Sequence, residues 1–214
     1  MVRVKICGIT RAADACLAAE LGATAVGFVF WPQSPRFVNP MDAMVIAGQL
    51  PEGVASIGVF VDPPREELCR VAELVGLSAV QLHGSESLEF SLGLPYPVLK
   101  AVGVRDALSI DEILALPGEF KLLLDADDPI YRGGTGRTID WSVAAQISSE
   151  REVFLSGGLS PDNVSDAIRI VRPYGVDVSS GVESAPGQKD PDRLRAFFTQ
   201  VAGSENGVEI HGRL

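Results

Sequence analysis

The stretch V-R-V-K-I-C-G-I-T, residues 2–10, decides the fold. Val2, Val4 and Ile6 alternate with Arg3, Lys5 and Cys7, so a strand over 2–7 places the second set on one face. The turn behind it holds a single glycine, Gly8. A doubly wound dinucleotide fold would put a G-x-G-x-x-G turn there. Seven further runs rich in Val, Ile, Leu and Phe follow, near 25–30, 56–61, 79–83, 98–102, 121–125, 152–156 and 176–179. Helical patterns and turn residues separate them. Eight strands, each followed by a helix, predict an α/β fold: a single-domain (β/α)8 barrel over residues 1–201. Residues 202–214 are polar and aperiodic and are expected to form a disordered C-terminal tail.

Several helix starts are legible. Asp62 before Pro63-Pro64 reads as a cap, Ser109-x-x-Glu112 as a capping box, and Ser160-Pro161 and Asp190-Pro191 as cap-plus-proline starts. Gly22 and Gly76 stand where helix C-termini favour a left-handed residue.

Composition narrows the function. A formal net charge of −10 argues against a nucleic-acid partner, which calls for a basic face. No apolar run is long enough for a membrane helix, and no signal peptide is evident, so a cytoplasmic location is expected. Cys7, Cys16 and Cys69 are odd in number and widely spaced, which fits free thiols. With only His83 and His211 and no C-x-x-C, no metal site is expected.

Strands covered on both faces should be almost wholly apolar, so polar residues in them carry information. Gln81 and His83 share a face of the fourth strand. The sixth ends in Asp125, the seventh in Ser156, and the eighth carries Asp177. Most lie at the C-terminal ends of their strands, where barrels of this kind build active sites. Each also has a plain structural reading: Cys7 as a packed thiol, His83 as a hydrogen-bonded core residue, Lys5 as the neutraliser of a buried carboxylate. The turns S-G-G-L-S-P (156–161) and S-S-G-V-E (179–183) follow the last two strands, the usual place for a phosphate site. Gly157, Gly158, Ser180 and Gly181 would present backbone N–H groups to the anion. R-G-G-T-G-R (132–137) reads as a loop that closes over the site. Arg36, in W-P-Q-S-P-R (31–36), is either a surface arginine or a two-point clamp for a carboxylate.

Taken together, K-I-C-G-I-T (5–10), G-F-V-F-W-P-Q-S-P-R (27–36), G-V-F-V (58–61), V-Q-L-H-G (80–84), L-L-D (123–125), G-G-T-G-R-T-I-D-W (133–141), S-G-G-L (156–159) and V-D-V-S-S-G-V-E (176–183) resemble the phosphoribosylanthranilate isomerase family of tryptophan biosynthesis. The resemblance implies a cofactor-free, metal-free Amadori rearrangement, an aldose–ketose isomerisation of a phosphosugar. It implies Cys7 as general base and Asp125 as general acid, with Arg36 gripping the anthranilate carboxylate. Asp177 would line the same site in a supporting role, and His83 is a further candidate for substrate binding. A thiolate base would need a pKa below the free value of ~8.5. The protein is expected as a monomer or homodimer, with no nucleic-acid or membrane partner. Two positions depart from the family pattern: Ile139 stands where Phe is expected, and Ser85 where an acidic residue is common. Two rival readings are a related phosphosugar barrel enzyme, such as an indole-glycerol-phosphate synthase, and a non-catalytic phosphate-binding barrel. The first would not be expected to carry both Cys7 and Asp125, and the second has no need of Cys7, Asp125 and Arg36 together.

Overall fold

The computed structural model describes residues 1–104, 109–126 and 139–206. Eight parallel strands form a closed barrel in sequence order. They are β1 (Arg3–Cys7), β2 (Ala25–Val29), β3 (Ala55–Phe60), β4 (Ala79–Leu82), β5 (Val98–Val104), β6 (Lys121–Ala126), β7 (Val153–Leu155) and β8 (Gly175–Val178). Each lies within two residues of its expected bounds. Closure comes from β1 pairing with β8, which registers Lys5 against Asp177. Outside run α1 (Ala12–Glu20), α2 (Pro40–Ala47), α3 (Arg65–Val75), α4 (Leu88–Leu92), α5 (Ser109–Leu114), α6 (Trp141–Glu150), α7 (Val164–Val171) and α8 (Pro191–Asn206). A small hairpin, β9 (Glu183–Ala185) and β10 (Gln188–Lys189), is inserted between β8 and α8.

Strand alternation divides the apolar residues into layers. Outward-facing Ile6, Phe28, Leu82, Leu122, Leu124, Leu155 and Val176 pack under helix residues such as Leu68, Ile147 and Phe197. Each such side chain stabilises the fold by about 1.5–3 kcal/mol on burial. Inside, the lower barrel is filled by Leu99, Leu123 and Phe154. Below them the Tyr174 ring carries Arg3 at 4.8 Å and Lys121 at 4.1 Å from its centroid. Near the upper mouth the interior holds Cys7, Val29 and Val59, packed against Trp31.

Several local expectations change. The barrel does not end at 201: α8 continues through Asn206, and Ser204 is buried. Residues 207–214 lie outside the described residues, as do the side chain of Ser109 and the loop 132–137. Asp62 is not a helix cap. It sits at φ +45° and accepts the Ser85 N–H, while Pro64 precedes α3. The helix expected to start at Ser160 begins at Val164, because the Asn163 side chain ties down the turn before it. Asp190 does cap α8, accepting the N–H groups of Asp192 and Arg193. Gly76 ends α3 in the left-handed conformation. Ile139, the departure from Phe, is buried in the outer apolar layer.

Candidate active site

Cys7 ends β1, and its neighbour across β2 is Gly27. A Cβ at Gly27 would stand 2.9 Å from the Cys7 sulfur and 3.2 Å from Lys5 Nζ, so the glycine makes room for both. Lys5 is fully buried two residues below, and its Nζ donates to Asp177 Oδ1 at 2.8 Å. Asp177 is therefore neutralised by Lys5, the reading Lys5 had in the sequence. Burial alone would lower the Lys5 pKa, but Asp177 and Cys7 outweigh it and the net direction is up. For Cys7, burial pushes the thiol up, and the pull of Lys5 and Lys189 in the other direction does not cancel it. Burial is the largest of these influences, and the direction is up, opposite to the expected fall below the free value.

Asp125 is the penultimate residue of β6 and is buried. Its Oδ1 accepts the Ala126 N–H at 2.9 Å, and its Oδ2 lies 3.2 Å from His83 Nε2. On the far side of the ring, Nδ1 meets the Gln81 side-chain amide at 2.9 Å. The loop after β4 is held by Glu86, which accepts from Asp62 N–H, Gly84 N–H and Lys100 Nζ. Glu86 thus places a carboxylate beside Ser85, the position where an acid is common.

Arg36 is not a free surface arginine. Its Nε and Nη2 grip Glu183 at 2.9 and 2.8 Å, while Nη1 makes no hydrogen bond among the described residues. Gly8, at φ +74°, permits this approach, since a Cβ there would press on Arg36 Cδ at 2.6 Å. Glu183 also accepts from Lys189 Nζ at 2.8 Å. Burial works to raise the Glu183 pKa, but Arg36 and Lys189 override it and the direction is down. Lys189 is buried and its pKa is lowered, chiefly by that burial. Glu183 and Lys189 were not singled out from the sequence. Glu183 lies inside the quoted 176–183 segment, whereas Lys189 has no local signal.

Gly157 and Gly158 take φ of +83° and +61°, which bulky residues rarely adopt. Asn163 closes this turn by donating to the Gly158 carbonyl at 2.9 Å. Ser180 opens a short 3-10 turn, Ser180–Val182, and Gly181 lies directly against the Leu159 carbonyl, leaving no space for a Cβ. The glycine turns after β7 and β8 therefore abut. Ser179 Oγ, buried without a partner among the described residues, lies beside Gly8. The fold thus gathers Cys7, Asp177, Arg36 and the two glycine turns on the β1–β8 side of the mouth. Asp125 and His83 lie together on the β4–β6 side. Among the described residues, no cluster of three or more His, Cys, Asp or Glu side chains could hold a metal ion. No described helix is long and apolar enough to cross a membrane.

An isomerase from Pelobacter propionicus, named N-(5'-phosphoribosyl)anthranilate isomerase, is 48% identical over 198 residues, covering 92% of this chain and 94% of the relative. The crystal structure of phosphoribosyl anthranilate isomerase from Thermotoga maritima superposes with a TM-score of 0.89 at 47% identity, over 95% of this chain and 100% of that one. A phosphoribosyl anthranilate isomerase solved with reduced 1-(o-carboxyphenylamino)-1-deoxyribulose 5-phosphate gives 0.85 at 45% identity, with the same coverage. The family model for N-(5'-phosphoribosyl)anthranilate (PRA) isomerase matches residues 4–200, and the chain belongs to that family.

Proposed function

We propose that the chain isomerises N-(5'-phosphoribosyl)anthranilate to 1-(2-carboxyphenylamino)-1-deoxyribulose 5-phosphate by general acid–base catalysis. The observation that carries this reading is the placement of Cys7 and Asp125, both buried at strand ends on opposite sides of one barrel mouth. Asp125 donates a proton to the ribose ring oxygen. The C1'–O bond opens as the amine nitrogen supplies its lone pair, giving a Schiff base. Cys7 then removes the proton from C2', and the resulting enolamine tautomerises to the ketone. One positioned acid and one base suffice for these steps. The active form carries a thiolate at Cys7, which the cations Lys5 and Lys189 favour against burial. Arg36, preset by Glu183, takes the anthranilate carboxylate through its remaining N–H groups. Backbone N–H groups of Gly157, Gly158, Ser180 and Gly181 take the phosphate.

The test is turnover of phosphoribosylanthranilate by purified protein, followed as loss of anthranilate-type fluorescence. Cys7→Ala and Asp125→Ala should each lower kcat by at least ~10²-fold, the low end for positioned acid–base groups. Product affinity should change far less. A wild-type protein without turnover would refute the substrate. A Cys7→Ala variant that keeps most of its kcat would refute the mechanism.

A further inference from the structure

General acid catalysis by Asp125 raises a question of proton supply. A free aspartic acid keeps its proton in about one molecule in a thousand at pH 7, and a free imidazole in about one in four. A general acid has to hold its proton at working pH. Around Asp125 the geometry offers a source. Gln81, His83 and Asp125 form one line inside the mouth, with contacts of 2.9 Å and 3.2 Å. Gln81 is 1% exposed.

The Gln81 amide can meet the ring in two orientations that fill the same space. With its NH2 group toward His83, Nδ1 is a bare acceptor and the single ring proton sits on Nε2. Gln81 Oε1 then stays buried without a partner among the described residues. Asp125 receives a hydrogen bond in that arrangement but gains no proton it can pass on. With the carbonyl toward His83, Oε1 accepts from Nδ1–H, and the NH2 group takes the buried place that the oxygen held. Nε2 is then free to exchange a second proton with Asp125.

We infer that Gln81 and His83 are positioning residues of a proton store: Gln81 Oε1 pins Nδ1–H, and His83 Nε2 holds the proton that Asp125 delivers. This rests on the reading of Asp125 as the acid. In the step, the Nε2–H bond breaks as an O–H bond forms on Asp125. That O–H bond breaks as the ring oxygen is protonated, and the electron pair of the C1'–O bond goes to that oxygen. His83 ends neutral with Nδ1–H still on Gln81, and Asp125 ends as a carboxylate. The other described charges facing this group are engaged elsewhere. Lys100 on β5 binds Glu86 at 2.6 Å, and Lys5 on β1 binds Asp177 on β8 at 2.8 Å. Asp62, after β3, is occupied by the Ser85 N–H. Cys7 stands across the barrel, at the end of β1.

The pH profile of kcat/KM tests this in a way that a substrate contact would not reproduce. Where the acid loses its proton at lower pH than the base, activity climbs with pH up to that point and then levels off. Beyond it, each gain in thiolate is cancelled by an equal loss of acid. Plateau height and limb position are therefore linked, at about tenfold in rate per pH unit. His83→Gln keeps an amide N–H for Asp125 but cannot take up a proton. Gln81→Leu removes the acceptor. Both should move the acid limb down by about one unit or more and lower the plateau about tenfold per unit. Gln81→Glu should move the limb up. A fall in activity with the limb fixed, or a rise in KM alone, would overturn the store and leave His83 as a substrate contact. A second readout needs no turnover. His83 and His211 are the only histidines, so in His211→Asn the imidazole 15N signals belong to His83. At pH 7 they should show Nδ1 protonated. A neutral ring protonated only at Nε2 would overturn the store even in an active enzyme, while a protonated Nδ1 in a protein inactive on phosphoribosylanthranilate would refute the substrate alone.

Discussion

Leu123 and Asp125 are two residues apart on β6 and face the same barrel interior, yet their surroundings differ in kind. Leu123 is fully buried against Leu99 and Phe154, with no polar group to satisfy. Asp125 sits beside His83 and under the Ala126 N–H. The same division recurs on β1, where outward-facing Ile6 is wrapped in hydrocarbon while Lys5 and Cys7 share a charged interior with Asp177. The lower barrel spends its burial on stability. The upper barrel holds ionisable groups out of water, where their charges act on one another with little screening. The largest test separates the two. Phe154→Ala should cost about 3–5 kcal/mol in urea unfolding, from lost burial and the cavity left behind. Its folded molecules should keep kcat within about threefold, because no reacting group touches Phe154. Asp125→Ala should do the reverse, losing turnover while unfolding near the wild-type midpoint. Equal stability losses at both sites would erase the distinction.

That division also marks what the sequence could disclose. Parallel strands covered on both faces are written as nearly continuous apolar runs, so all eight strands and the barrel were legible. Polar interruptions at their ends named Cys7, His83, Asp125 and Asp177. Partnerships were not legible, because they join residues far apart in the chain: Lys5 with Asp177, Arg36 with Glu183. Nor was the direction of the Cys7 shift, a balance of burial against Lys5, its neighbour on the same strand face, and Lys189, which only the folded structure brings near. The end of α8 was missed for a local reason. Gly203 and Ser204 weaken the helical pattern, and the buried face there is a single serine.

The Arg36–Glu183–Lys189 group sharpens the comparison, since it is buried charge used for positioning. Glu183→Gln leaves two cations facing a neutral amide, and Arg36 loses its two-point anchor. KM should rise about tenfold or more with kcat within about threefold, the pattern of lost substrate binding. The Glu183 carboxylate has its pKa lowered in the fold, so its stabilising contribution is present above the unfolded value. It is lost as pH falls through the folded value. Acid unfolding monitored by circular dichroism should therefore be less steep in Glu183→Gln. An unchanged KM would mean that Arg36 does not depend on this clamp.

A smaller effect is expected at the Cys7 thiol. Burial raises its pKa, so alkylation by iodoacetamide, followed by mass spectrometry of the Cys7 peptide, should take off at higher pH than for a free thiol. Lys5 pulls in the opposite direction, so Lys5→Met should move that onset further up. An onset below the free-thiol range would reverse the direction assigned to the resting enzyme.

The smallest effects are expected at the end of α8, where the outer layer thins. Ser204 Oγ donates to the Val201 carbonyl at 2.6 Å, and Val201 is buried in the apolar layer. A chain ending at Val201 loses the last helical turn and exposes that residue. About 1 kcal/mol is at stake, a fall of about 2–4 °C in Tm for a domain of this size. A chain ending at Asn206 should melt with the full-length protein, and both should keep kcat, because the site lies at the strand ends and not at this helix terminus. Gly203 has nothing within 4 Å of where a Cβ would sit. Gly203→Ala should therefore raise stability by about 0.5–1 kcal/mol through helix propensity alone. A chain ending at Val201 that melts at the wild-type temperature would show that the turn after Val201 adds nothing to the outer layer, and that the barrel is complete at that residue.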